Sequence, residues 1–488
     1  MTALSVFRAP PQAFSRAAFV VALLLLLLPP ALAQAQLADN DDEQLPPPLL
    51  DRPRAFGEER TFEVYGRLGY ASMHGAGDSR DRVLFGLGMS FSMVNWTLAL
   101  DFEVPVHVDP VALERNAFNE ASDFFAILEA LRYGYKDEGA AFFNLGRFSG
   151  RETHVGYGHF VNHYSSTVDM DSPLIGLQFD FDFGGLGYES FVNSFTDWDV
   201  IALRGFVRPL VLAGEPQMPV TDTELGITIA GDFNAPTSLR LDDDEVLLDS
   251  KRNIRARTTD LLYVAADLTV PLIYDTWVEL RPFVSGAVYL DHGAAAFAGL
   301  DLRLYVPIWD SLPLDVRLEY HHLGRGFAPF WADTFYLVER YAFPTPESTR
   351  TKLGFMREAT RSSSGVAVSL RWGLDKLFAI EARYADYFEA PAQHFGRLIL
   401  HLRMLEGSGL PFRVGATYAK RGVASFAEAF RLDETAMLRA YAAIQPFNDL
   451  DLRFGVTLER TWRVETTTGR YDTATAITPY ITLAFAFD

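Results

Sequence analysis

The chain ends on Ile477-Thr478-Pro479-Tyr480-Ile481-Thr482-Leu483-Ala484-Phe485-Ala486-Phe487, followed by Asp488. Ile477, Ile481, Leu483, Phe485 and Phe487 occupy odd positions, while Thr478, Thr482, Ala484 and Ala486 occupy even ones. Side chains of a strand alternate between its two faces, so this segment has one oily face and one thin, wettable face.

The same alternation recurs upstream. Residues 62–70 set Phe62, Val64, Leu68 and Tyr70 against Glu63 and Arg67; residues 83–91 set Val83, Phe85, Leu87, Met89 and Phe91 against Gly86, Gly88 and Ser90. Residues 96–106, 175–183, 298–306, 314–320 and 450–458 repeat it with acids and arginines on the polar face. A soluble β-sandwich also alternates, but ordinary strands run about 5–6 residues. Here the segments run about 9–13 residues, the length of a strand that crosses a bilayer.

About 20 such segments begin near 61, 82, 96, 123, 140, 174, 186, 199, 223, 260, 276, 294, 313, 363, 376, 395, 411, 436, 449 and 474; 18 is the next even count. Their joins alternate in length. Short joins carry turn residues: Lys136-Asp137-Glu138-Gly139, Gly184-Gly185, Gly373-Leu374-Asp375-Lys376, Glu406-Gly407-Ser408-Gly409 and Gln445-Pro446-Phe447-Asn448-Asp449. Long joins are expected at 108–122, 149–173, 233–259, 322–362 and 421–435. Two joins break the rhythm, 209–222 by being long and 196–198 by being short. Residues 120–135 also fit a helix by pattern; the well-marked turn after them favours a strand.

The N-terminus reads as an export signal over 1–33: Arg8 and Arg16, an apolar run over 17–28 ending in six leucines, and Ala31-Leu32-Ala33 as a cleavage site. Residues 34–60 are acidic and proline-rich and predict a disordered lead-in, with the barrel occupying 61–488. Beyond residue 33 the chain carries 41 basic against 63 acidic side chains, a formal charge near −22. That balance argues against nucleic acid as a partner. The absence of cysteine excludes thiol catalysis and cysteine-ligated metal. Aromatics make up 14% of residues, yet no apolar run after residue 33 is long enough for a spanning helix.

Export signal, strand length, join asymmetry and an aromatic-rich final strand together resemble the bacterial outer-membrane β-barrels. The aromatic is penultimate here, because Asp488 is last. The resemblance covers residues 61–488 and points to no particular family. It implies an all-β, antiparallel, up-and-down transmembrane barrel in the bacterial outer membrane, contacting its lipid. Porin-type barrels are often trimers, which leaves a homo-oligomer open. Trp96, Trp277, Trp309 and Trp372 fall beside short turns, where a membrane-interface girdle is expected.

Charges of lumen-facing parity supply the functional signal. Early strands offer Asp101, Glu103, Asp180, Asp182 and Glu189; late strands offer Arg371, Arg383, Arg397, Arg403, Arg413 and Arg439. Opposed across a closed barrel, these would set up a transverse field in a water-filled pore. Alternatively acids and arginines pair within the wall, as at Asp301/Arg303, Asp315/Arg317, Glu381/Arg383 and Asp451/Arg453. The expected function is a porin-like channel for passive diffusion of small hydrophilic solutes, with no cofactor.

Two other readings follow from the loops. The aromatic loop 322–362 (Phe327, Phe330, Trp331, Phe335, Tyr336) either folds into the lumen or presents a surface for adhesion. In loop 149–173, His163-Tyr164-Ser165-Ser166 is similar to the His-x-Ser-Asn pattern of outer-membrane acyl hydrolases, with Ser166 in place of asparagine. That likeness would make Ser165 a nucleophile and His163 its base. Asp242-Asp243-Asp244-Glu245 reads as a solvated charge run, lacking the spaced ligands of a calcium loop. His321 and His322 are adjacent on a strand, face opposite ways and cannot easily share one metal ion.

Overall fold

The computed structural model describes residues 61–487 except 75–79, 94, 109–110, 114–126, 135, 137–138, 149, 151–152, 169–173, 216–217, 243–244, 249–253, 276, 306–312, 347, 375–376, 390–391, 405–410, 448–450 and 465–467. The expected export signal, the lead-in and Trp309 lie outside the described residues.

Twenty antiparallel strands form the wall. They are β1 (Thr61–His74), β2 (Arg80–Met93), β3 (Trp96–Val108), β4 (Leu128–Tyr133), β5 (Ala141–Arg147), β6 (Ile175–Asp182), β7 (Leu186–Val192), β8 (Val200–Val207), β9 (Glu224–Leu239) and β10 (Ala256–Thr269). The second half runs β11 (Val278–Tyr289), β12 (Ala294–Leu304), β13 (Leu314–Leu323), β14 (Ser363–Leu374), β15 (Phe378–Tyr387), β16 (Arg397–Met404), β17 (Phe412–Arg421), β18 (Ala436–Ile444), β19 (Asp451–Val464) and β20 (Tyr471–Phe487). Each strand pairs with the next, and β20 pairs with β1 in the register Phe62↔Phe487, Leu68↔Ile481. The final strand therefore seals the cylinder, and among the described strands each has a partner on both sides.

The oily face points outward. Phe85, Leu87, Met89 and Phe91 on β2, Leu225, Ile227 and Ile229 on β9, and Ile477 and Ile481 on β20 are all exposed. Between them, Ser90 and Ser92 are buried. A contiguous apolar exterior on this scale is a surface made for lipid. Trp96 and Trp277 are exposed beside joins on the end where both termini emerge; Trp96 packs on Tyr133, and Trp372 on Phe378.

Strands range from 6 residues in β4 to 17 in β20. Residues 128–133 are indeed strand, while 120–126 lie outside the described residues. The join expected at 233–259 is shorter than its sequence suggests. β9 continues to Leu239, with register shifts between Asp232/Ala235 and Pro236/Ser238. Its Pro236 sits at such an irregularity, where a missing N–H is tolerated. The two ends of the acid run pair in that join, Asp242 opposite Glu245, while Asp243 and Asp244 lie outside the described residues. The join 208–223 breaks the short-turn rule by holding a helical turn, Pro209–Leu212, begun by a proline in its first turn.

Two inserted loops pack on the wall's inner face. The described residues of 148–174 and 324–362 fold inward and touch each other through a parallel bridge, Ala332↔Val161 and Asp333↔Asn162. Their Phe148, Phe160, Tyr164, Phe327, Phe330, Trp331 and Tyr336 join inward-facing Phe191, Tyr263, Tyr289, Phe297 and Tyr387 of the wall in one buried cluster. At roughly 1.5–3 kcal/mol per fully buried large apolar side chain, this packing holds the loops in place. An apolar cluster thus occupies part of the lumen that strand parity suggests is water-filled. Alanines at 202, 230, 265, 287, 295, 367 and 385 make room for the loops on the wall's inner face.

Candidate functional site

Below the inserted loops lies a polar cavity of about 670 Å³. Gly139, Asp182, Arg208, Asp222 and Pro271 line it at or near the short joins, so it faces the end of the barrel where both termini emerge. Its roof is loop 148–174, through His154, Gly156, Tyr157, Asn162 and His163.

On β11 to β15, Glu279, Arg303, Asp315, Arg371 and Glu381 stand directly opposite one another in sequence, alternating in sign. Asp315 is the hub of this row, 2.6 Å from Arg303 Nε and 2.7 Å from Arg371 Nη2. One row further along the strands, Arg317 Nε meets Asp301 Oδ1 at 2.5 Å. The sequence pairs Asp301 with Arg303 and Asp315 with Arg317 along one strand; in the structure the partners are exchanged across β12 and β13. Residues two apart on a strand share a face about 6.6 Å apart, whereas directly opposed side chains are nearer.

A second network holds the other side. Arg204 of β8 is buried, with its guanidinium 2.7 Å from Glu189, 2.6 Å from Glu224 and 2.6 Å from Asp267. Lys136 reaches Asp180 at 2.6 Å, and Arg208 reaches Asp182 at 2.8 Å and Glu224 at 3.0 Å. Gly156 N–H of the roof loop donates to Glu189 at 2.7 Å. Gly226 lies against Arg204 and Asp267: a Cβ there would stand 2.5–2.6 Å from Arg204 Nη2 and both Asp267 carboxylate oxygens.

The eleven charges singled out from sequence divide by place. Asp180, Asp182, Glu189, Arg371 and Arg383 border the cavity. Arg383 bonds Asn162 of the roof and lies over the Phe330 ring. Arg397 is buried against loop 324–362, at 2.8 Å from Asp333 and 2.7 Å from Glu339. Arg439 pairs with Glu459 at 2.7 Å and bonds Thr167 of the first loop. Asp101 is half-buried on β3; the Glu103 side chain lies outside the described residues. Arg403 and Arg413, half-buried on β16 and β17, are not among the cavity's described lining, and Arg413 Nη2 lies 3.5 Å from Gln445 Oε1.

The inserted loops also use partners that strand parity does not reveal. Asp232 accepts from Trp331 Nε1 at 3.0 Å and from Tyr336 OH at 2.7 Å. Lys352 donates to the carbonyls of Phe330 and Trp331 at 3.1 Å each and meets Glu339 at 2.9 Å. A lumen-parity acid such as Asp232 signals its polarity in the sequence, but only the path of the loop shows what it binds.

His163 and Ser165 do not form a nucleophile–base pair. His163 takes a positive φ of 49°, which breaks the extended run that would put both on one face. Its Nδ1 faces Glu381 at 3.8 Å, whereas the buried Ser165 Oγ meets Thr167 Oγ1 at 3.3 Å. Burial pushes the His163 pKa down to about 3, against the opposite pull of Glu381. His321 and His322 do diverge, one buried and one exposed. Among the described residues, one group, His159, Glu319 and His321, has the ligand types and spacing to hold a metal ion.

No family model matches the chain, and no curated protein matches it. Several solved structures are similar to it. The outer membrane protein OpdK of Pseudomonas aeruginosa is 11% identical, over 89% of this chain and 100% of that one, with a TM-score of 0.31. OpdL of the same organism is 8% identical, over 88% and 99%, with a TM-score of 0.32. OccAB4 of Acinetobacter baumannii is 10% identical, over 88% and 98%, with a TM-score of 0.30.

Proposed function

We propose that this chain is a porin-like channel of the bacterial outer membrane, exported by the signal at 1–33, that passes small hydrophilic solutes by diffusion. The observation that carries this reading is a closed 20-strand cylinder, apolar outside, enclosing a cavity walled by paired charges. A barrel this wide cannot be filled by wall side chains alone, so inserted segments set its bore. Loops 148–174 and 324–362 fill that role and form the constriction. The alternating charges beneath them favour solutes that are both polar and charged over neutral ones of the same size. Inward packing of 324–362 also buries the aromatics on which an adhesion surface would depend.

Liposome swelling tests this. Vesicles holding the purified barrel should swell in small sugars and in small organic acids, and stay unchanged in large oligosaccharides. Vesicles that swell in none of these would overturn the channel reading.

A further inference from the structure

The first inserted loop meets the wall at a group of side chains that a diffusion channel does not require. His159 Nε2 lies 3.2 Å from Glu319 Oε2, and His321 Nε2 lies 3.0 Å from that same oxygen. The ligand atoms of all three lie within 4.8 Å of one another, and all three residues are buried. Around a tetrahedral ion with bonds of about 2.0–2.1 Å, neighbouring ligand atoms stand about 3.3–3.4 Å apart. The His–Glu spacings already approach that figure.

The rings are aimed and held. Their planes are nearly perpendicular, at 84°, with centroids 5.9 Å apart, so each directs Nε2 at the shared oxygen without stacking on the other. His159 lies flat on Phe297, with centroids 3.7 Å apart. His321 Nδ1 is 3.0 Å from Tyr387 OH. When Nδ1–H donates to that phenol, Nε2 keeps its lone pair, which is how an outer hydrogen bond prepares a metal-binding histidine. When both Nε2 atoms carry protons instead, the group is a plain hydrogen-bonded cluster.

We propose that His159, Glu319 and His321 bind a divalent transition metal ion of the zinc class, stapling loop 148–174 to β13. Two imidazoles, one carboxylate and an open fourth position are a recurrent donor set for such ions. The staple joins residues 160 positions apart, so it would fix the roof of the cavity to its wall. Arg317 and Arg383 lie within electrostatic reach of Glu319 and offset part of its charge. The inference does not depend on solute passage.

The test uses the intact folded barrel in detergent, stripped with chelator and then dialysed against zinc. Metal analysis should find about one zinc per chain. Absorption-edge spectroscopy should show two imidazole nitrogens and an oxygen. His159→Gln and His321→Ala should each lower bound zinc by about tenfold or more while the barrel keeps its folded gel mobility. Folded wild type that retains no zinc, variants that retain as much as wild type, or a spectrum without imidazole ligands would each overturn the site. The spectrum decides even if a variant fails to fold.

Discussion

Arg397 of the wall and Glu339 of the second inserted loop form a buried ion pair, Nη2 to Oε2 at 2.7 Å. Lys352 Nζ stands 2.9 Å from the same carboxylate oxygen, and Arg421 Nη1 lies 3.8 Å from the other one. Glu339 ends a short helix, Tyr336–Glu339, deep inside the cylinder. Burial works against its charge, but Arg397, Lys352 and Arg421 outweigh burial and hold its pKa below the usual carboxylate value. Glu339→Gln leaves three cations short of a partner, a loss of about 3–5 kcal/mol for a buried pair. Loop 324–362 should then exchange its amide hydrogens faster and become open to protease, while the wall stays protected. Hydrogen-exchange mass spectrometry reads both.

Asp315 bridges Arg303 and Arg371 at 2.6 and 2.7 Å, on the cavity wall. Asp315→Asn frees two positive side chains that are already two-fifths exposed. Stability should change by less than about 1 kcal/mol, as for other solvated pairs. Anion preference should rise by roughly twofold in reversal-potential measurements, and Arg371→Gln should shift it toward cations.

Gly226→Ala places a methyl group against Arg204 and Asp267, both buried. Neither wall strand can retreat without losing its ladder, so the clash falls on the ion network. The expected cost is about 1–3 kcal/mol, seen as a lower midpoint in denaturant unfolding.

His163 has a folded pKa near 3, lowered by burial from 6.5. The unfolded chain takes up the proton first. The stability that neutral His163 contributes is therefore complete above pH 6.5 and is lost as pH falls from 6.5 toward 3. The slope approaches about 1.4 kcal/mol per pH unit for one proton. Thermal unfolding followed between pH 7 and 4 should steepen less in His163→Gln than in wild type. Within pH 5–8 His163 stays neutral and adds no charge to the cavity.

Much of the cylinder is legible from residue order. Each of the twenty strand starts read from alternation has a wall strand in the structure, because a lipid-facing wall permits large apolar residues on alternate positions and little else. The extent of β9 is not legible, since past Asp232 its wall leaves the clean alternation and bulges. The direction of loop 324–362 is not legible either. Its aromatics suit any dry site, and the small residues they pack among, Ala202 and Ala230 on neighbouring strands and Ala385 on β15, carry no mark of that role in the sequence. Charge type and parity mark Arg397 as inward-facing; its partners, Asp333 and Glu339, lie 64 and 58 residues away on a loop with no strand rhythm. His159 meets Glu319 and His321 for the same reason: the loop, and no local spacing, brings them together.

Single-channel recording of the wild-type barrel beside a variant whose residues 328–358 are replaced by a short glycine-serine link tests the account most directly. Wild type should conduct in small, uniform steps, and the variant in steps several times larger, because the segment removed occupies the lumen. Steps of equal size in the two proteins, or a folded variant that never conducts, would contradict it.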